Sequence, residues 1–156
     1  MLLLVGCGSS ASAHFTVKSR LVGRSLEQAV ILPSGDTKGR PLLVLLHGRS
    51  SQPDDMARSS IKKAVDKLGP RAPVVLFANG GNHSYYHDRR DGRWGSYILH
   101  EAIPAAVRKY HLDGRRVAIG GFSMGGFGAL DLARFRRFCA VGGHSARDVA
   151  DRRRNA

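Results

Sequence analysis

Arg116-Val-Ala-Ile-Gly-Gly-Phe-Ser-Met-Gly-Gly-Phe-Gly-Ala-Leu130 decides the fold. Apolar, β-prone residues from Val117 to Ile119 run into the pentad Gly121-Phe122-Ser123-Met124-Gly125, and a small-residue helical pattern continues through Leu130 and Leu132. Gly-x-Ser-x-Gly between a strand and a helix marks a nucleophile elbow, a turn tight enough to strain the serine backbone and push its hydroxyl into the open. Glycines two before and two after Ser123 are needed because side chains there would collide across the turn. The pentad alone also describes a plain glycine-rich turn. The strand pattern before it and the helical pattern after it favour a nucleophilic Ser123.

Outward from the elbow, strands and helices alternate. Pro41-Leu-Leu-Val-Leu-Leu46 and Pro73-Val-Val-Leu-Phe77 are continuous apolar runs that suit strands buried on both faces. Between them Asp54 or Asp55 can cap a helix with Met56, Ile61, Ala64, Val65 and Leu68 on one face, stopped by Gly69-Pro70. From Gly95 to Tyr110 the apolar spacing predicts an amphipathic helix kinked at Pro104. Upstream, Phe15 to Val22 and Leu26 to Leu32 read as a hairpin turned by Gly23-Arg24, and downstream Phe138-Cys-Ala-Val-Gly142 reads as a further strand left by Gly143-His144-Ser145. The alternation implies an α/β fold with a mostly parallel sheet and helices packed on both faces.

At 156 residues the chain is long enough for one domain with a real core. Its formal charge of +13 is concentrated toward the end, where residues 134–156 hold seven arginines against Asp148 and Asp151. The remaining cations are scattered, with no aromatic-interleaved basic face of the kind that binds nucleic acid. No nucleic-acid partner is therefore expected. The first thirteen residues look like the end of an export signal. Leu4-Val5-Gly6-Cys7 resembles a lipobox in which Cys7 would carry lipid, with a Ser/Ala tether after it, giving a secreted or membrane-anchored envelope protein. The alternative is a chance apolar N-terminus, since no basic segment precedes the run. With Cys7 lipidated, Cys139 would have no disulfide partner.

The strand ending in His47-Gly48-Arg49, the Asn79-Gly80-Gly81 loop running through Tyr85, Tyr86, His87 and Asp88, Trp94-Gly-Ser-Tyr97 with Glu101, the elbow, and Val141-Gly-Gly-His-Ser145 occur in a telling order. Together, over about residues 15–146, they resemble the esterase D–type family of α/β-hydrolases, which includes S-formylglutathione hydrolases and secreted mycolyltransferases. The resemblance implies an α/β-hydrolase sheet and an acyl-enzyme on Ser123. It implies an oxyanion hole built from the backbone N–H groups of Arg49 and Met124, and a substrate pocket bordered by His47, Tyr85, Tyr86, Asp88 and Trp94. His47, beside the oxyanion loop, reads as shaping that turn rather than transferring protons. The implied substrates are small-molecule, lipid or sugar esters. No cofactor is implied, and no metal is expected at His83, His87 and Asp88, which have no fixed element beneath them.

One departure stands out. Hydrolases of this fold place the triad in the order serine, acid, histidine, yet only 33 residues follow Ser123. Asp131 falls eight residues along the elbow helix, about 12 Å from the serine at ~1.5 Å per residue. His144 with Asp148 lies nearer but in reversed order, so His144 reads first as a polar loop residue and only secondarily as a base. The expected organisation is a signal and tether at 1–13, a partial α/β-hydrolase domain lacking its last strands at 14–146, and a basic tail at 147–156. The expected function is a serine esterase of doubtful turnover. An acyltransferase of the mycolyl type and a non-catalytic fragment are the alternatives.

Overall fold

The computed structural model describes residues 8–146. Strands β1 (Ala11–Ser19) and β2 (Arg24–Leu32) pair antiparallel from Ala11↔Leu32 to Ser19↔Arg24. β1 thus begins inside the stretch read as a tether. Ala11 to Ala13 are ladder residues, and the buried Ser10 donates its N–H to the Asp66 carboxylate at 2.6 Å. Those hydrogen bonds replace the solvation a free tether would have. Cys7 and the segment 147–156 lie outside the described residues.

Next come β3 (Leu42–Leu46), helices α1 (Pro53–Met56) and α2 (Ser59–Leu68), and β4 (Val74–Ala78). The single helix expected here is two helices. The Asp55 carboxylate accepts the Gln52 N–H at 2.7 Å and closes the first turn, after which the chain leaves helical geometry at Ala57. Gln52, rather than Asp54 or Asp55, is the cap residue of α1. Val65 is buried, but Ala64 and Leu68 face solvent, so the apolar face is narrower than the spacing suggested.

A two-residue ribbon, β5 (Asp88–Arg89) with β6 (Gly92–Arg93), leads into α3 (Trp94–Tyr97), a π-helical stretch over Ile98–Ala102, and α4 (Ile103–Lys109). Pro104 marks the expected irregularity. It has no N–H to give to the preceding turn, and just before it Ile103 donates five residues back to Ile98. β7 (Val117–Phe122), α5 (Met124–Leu132) and β8 (Ala140–His144) complete the order. β8 starts two residues later than Phe138 and runs through His144, because its carbonyls and N–H groups pair in register with β7, from Ala118↔Ala140 to Phe122↔His144.

The six-stranded sheet has the order β1-β2-β4-β3-β7-β8, and β4, β3, β7 and β8 are parallel. Alternation along the central strands feeds two cores. Val44, Leu46, Val74, Leu76, Ile119, Tyr97, Ile103 and Met124 form the larger one, under α3, α4 and α5. Val75, Phe77, Ile31 and Val65 form the smaller, under α2, with Leu43, Leu45 and Ile61 against it. Helices therefore cover both faces, as an α/β-hydrolase sheet requires.

The two edges of the sheet differ. β1 is tied to the helices, with the Ser19 hydroxyl and the Arg20 N–H both donating to the Glu101 carboxylate. β8 is exposed at every residue, and Leu130, Phe135 and Val141 expose apolar surface beside it. An unpaired apolar edge is a template for strand addition. Light scattering on the purified 156-residue chain should show mass rising with concentration, and Val141→Lys should suppress that rise. A wild-type chain that stays monomeric throughout would contradict this reading of the edge.

Candidate active site

β7 delivers Ser123 to the carboxyl edge of the parallel strands, and α5 begins at the next residue. Ser123 sits at φ 53°, ψ −117°, a conformation that costs a residue with a side chain roughly 1–3 kcal/mol. Its neighbours impose that turn. A Cβ on Gly121 would lie 2.3 Å from the Gly125 carbonyl, and one on Gly125 would lie 2.0 Å from the Leu46 carbonyl oxygen. Only glycine fits where three backbones meet. Ser123 accepts the Phe127 N–H at 3.0 Å, which starts α5, and donates its own N–H to His144 C=O at 2.9 Å. The residue is half-buried, and among the described residues nothing is hydrogen-bonded to its hydroxyl.

The loop after β3 runs alongside. A Cβ on Gly48 would be 3.6 Å from Ser123 Cβ, so the loop borders the serine at Gly48. Among the described residues the Arg49 and Met124 N–H groups have no acceptor, the latter because it opens a helix. These are the two donors the sequence nominated: Met124 follows Ser123 directly, and Arg49 follows Gly48, which packs beside the serine.

His47 is not a pocket wall. It is 1% exposed beneath the loop, and both ring nitrogens are engaged: Nδ1 lies 2.8 Å from Gly48 O, and Nε2 accepts the Gly80 N–H at 3.0 Å. Burial pulls its pKa below 6.5, against the opposing pull of the Gly48 carbonyl. Trp94 is likewise core rather than pocket, 3% exposed and packed edge-on to Tyr97. Its ring fills the space left by Gly81 and Gly92, which spacing along the chain could not show. Tyr86 is also buried; its hydroxyl donates to His47 C=O at 3.1 Å, and desolvation drives its pKa well up. Its ring occupies slots over Gly80 and Gly128, where a Cβ would come within 2.1 Å and 2.5 Å of ring carbons. The slot between Gly80 and Gly128 exists only once α5 lies across the loop.

Tyr85 and Asp88 do face open space. Tyr85, His83, His87, Asp88, Arg89 and Phe127 line a cavity of about 380 Å³, and Phe127 is one helical turn beyond Ser123. His87 stacks on Phe127 at 5.3 Å, while Tyr85 meets the same ring edge-on at 6.1 Å. A second cavity, about 270 Å³, lies farther along α5 toward Asp131, Leu132 and Phe135, and Ser123 itself lines neither cavity. Asp88 resists burial, which would raise its pKa. Hydrogen bonds from Ser96 and Arg93 hold it below the usual carboxylate range. His83 meets Tyr85 edge-on, His87 stacks on Phe127, and Asp88 is held by Ser96.

No imidazole among the described residues reaches Ser123. His144 is the last residue of β8 rather than a loop residue, its ring stacks on Phe122 at 5.5 Å, and its Nδ1 lies 3.2 Å from Ser145 Oγ. Asp148 lies outside the described residues. Asp131 pairs with Arg134 at 2.9 Å and lies 3.7 Å from His87, away from the elbow.

The strain at Ser123 is measurable. Ser123→Gly should unfold at higher denaturant than Ser123→Ala, by about 1 kcal/mol, since both lack the hydroxyl and only alanine retains the backbone penalty. Equal stabilities would remove the strained elbow.

The family model described as "Putative esterase" matches residues 19–148. Esterase Rv1288 of Mycobacterium tuberculosis is 29% identical over 146 residues, spanning 85% of this chain and 31% of its own length. FphF, a fluorophosphonate-binding serine hydrolase of Staphylococcus aureus, superposes with a TM-score of 0.71 at 27% identity, over 85% of this chain and 56% of its own. A ferulic acid esterase superposes with a TM-score of 0.74 at 26% identity, over 84% and 56%. The chain therefore spans about a third of that curated relative and just over half of the two solved structures. With an α/β-hydrolase sheet, a strained elbow serine and a family match across most of its length, the chain belongs to the esterase family of α/β-hydrolases.

Proposed function

We propose that Ser123 is the nucleophile of a carboxylic-ester hydrolase that works through an acyl-enzyme. The observation that carries this reading is the serine itself: strained, half-exposed at the carboxyl edge of a parallel sheet, and heading a helix whose first N–H has no acceptor among the described residues. In the first step the Oγ–carbonyl carbon bond forms and the carbonyl π electrons move onto oxygen. The Arg49 and Met124 N–H groups hold that oxyanion. The intermediate collapses with loss of the alcohol, which takes up a proton, and water later cleaves the acyl-serine to the carboxylic acid. The serine proton needs an acceptor, and the described residues supply no imidazole for it.

The substrate class follows from the cavity beside Phe127. Walls of Tyr85, His83, His87 and Phe127 suit a planar, aromatic group in the ester, placed one turn from the nucleophile. The likeness to a ferulic acid esterase supports the same choice. A second reading, a half-site that binds esters without turning them over, is favoured by the missing base. Under either reading nothing in the described residues lowers the barrier to deprotonating Ser123, so its hydroxyl keeps ordinary, weak nucleophilicity.

For the 156-residue chain, p-nitrophenyl acetate hydrolysis is expected near background. Ser123→Ala should lower it by no more than about threefold, since loss of the base already removes most of the triad's contribution. Fast turnover abolished by Ser123→Ala would show that a base is present after all. His144→Ala would then identify or exclude that ring.

A further inference from the structure

The least accessible histidine of the site is tied to the backbone that borders Ser123. His47 Nε2 accepts the Gly80 N–H at 3.0 Å, which requires the ring to carry its proton on Nδ1 when neutral. Nδ1 lies 2.8 Å from Gly48 O, so that proton is donated to the Gly48 carbonyl, which also accepts the Ser51 N–H at a longer 3.3 Å. The Gly48 carbonyl and the Arg49 N–H belong to one planar trans peptide and point in opposite directions. Drawing the carbonyl down onto the buried imidazole turns the Arg49 N–H away from it. Gly48 meanwhile rests against Ser123, with a Cβ there only 3.6 Å from Ser123 Cβ.

We infer that His47 is a positioning residue, a neutral imidazole whose Nδ1–H fixes the 48–49 peptide so that the Arg49 N–H is presented to the oxyanion. This rests on the acyl-enzyme reading of Ser123 and adds to it the group that holds the donor in place.

Two further contacts fix the imidazole and its loop. The Tyr86 hydroxyl donates to His47 C=O at 3.1 Å, while the Tyr86 ring is wedged between Gly80 and Gly128 of α5. Ser50, at φ 61°, donates its N–H to Asn82 C=O at 3.1 Å. The loop after β3, the loop after β4 and the elbow helix are thereby held as one body. Both ring nitrogens being occupied, His47 has no site left from which to take the serine proton. Its burial, which disfavours the charged form, agrees with a ring that stays neutral. Glutamine has an amide that could reproduce both bonds, N–H to Gly48 O and oxygen to the Gly80 N–H.

Two readouts on the 156-residue chain test this. In nitrogen-15 NMR at pH 7, the His47 ring should show the neutral, Nδ1-protonated form. An Nε2-protonated or charged ring would overturn the inference whatever the chemistry at Ser123. In the second, a fluorophosphonate is used in excess and attachment to Ser123 is followed by mass spectrometry, with circular dichroism confirming that each variant is folded. His47→Ala should lower the maximal rate of attachment roughly 10- to 100-fold, with little change in the half-saturating concentration. His47→Gln should recover most of the loss. A folded His47→Ala chain that reacts as fast as the wild type would overturn the inference. If neither the wild type nor any variant reacts at Ser123, the nucleophile reading falls, and the ring's protonation state then decides the role of His47 alone.

Discussion

Three backbones meet at one point in this molecule: the end of β3 at Leu46, the end of β7 at Gly121, and the first turn of α5 at Gly125. The contact leaves no room for a methyl group, since a Cβ on Gly125 would stand 2.0 Å from the Leu46 oxygen. Everything functional depends on that closeness. It forces the chain to reverse within one residue, and that residue is Ser123, held in a conformation that glycine would accept more readily. It also brings the loop after β3 to the same edge of the sheet, so that a serine, a helix start and a second loop share one small space. Stability is given up at Ser123 to aim the hydroxyl outward, and the neighbouring core of Leu46, Ile119 and Met124 holds the strained turn in place.

Much of this was legible in the chain. Runs such as Leu42–Leu46 and Val74–Ala78 can only be strands covered on both faces, and the glycine spacing about Ser123 admits few geometries other than an elbow. Those signals are local. What stayed hidden depends on residues far apart in sequence. Trp94 looked like the rim of a pocket because aromatic residues beside a polar loop often are, but its ring fills the space over Gly81 and Gly92, and the Tyr86 ring is wedged against Gly128 of α5, far along the chain. His47 reads from the sequence as shaping the turn beside it, but its partner, the Gly80 N–H at Nε2, appears only in the fold. The break at Ala57 follows from the Asp55 carboxylate closing a single turn, which competes with the helical spacing that linked Met56 to Ile61. Ala11 to Ala13 looked like a tether by composition, and pairing with β2 overrides it.

The other half of the chemistry is set by β8. Its carbonyl at His144 accepts the Ser123 N–H, so β8 anchors the elbow serine. Among the described residues its far side has no partner strand, and it is bordered by Phe135, 68% exposed, and by Leu130. In a parallel sheet a strand added beside β8 would end at the same edge as Ser123. Solved relatives extend well beyond the portion this chain matches. Under the proposed acyl-enzyme reading, the serine and its two candidate donors lie within the described residues, while no imidazole among those residues is hydrogen-bonded to the Ser123 hydroxyl. That reading predicts a well-formed elbow together with a serine of ordinary reactivity.

The most direct test of the account is the rate at which a fluorophosphonate becomes attached to Ser123, with and without imidazole added to the solution. A small diffusible base can substitute for a missing side chain only where the remaining machinery is already in position. The account predicts slow attachment confined to Ser123, accelerated in proportion to added imidazole and absent in Ser123→Ala. Rapid attachment without imidazole would show that the chain carries its own base. Failure to react at Ser123 under either condition would contradict the nucleophile assignment itself.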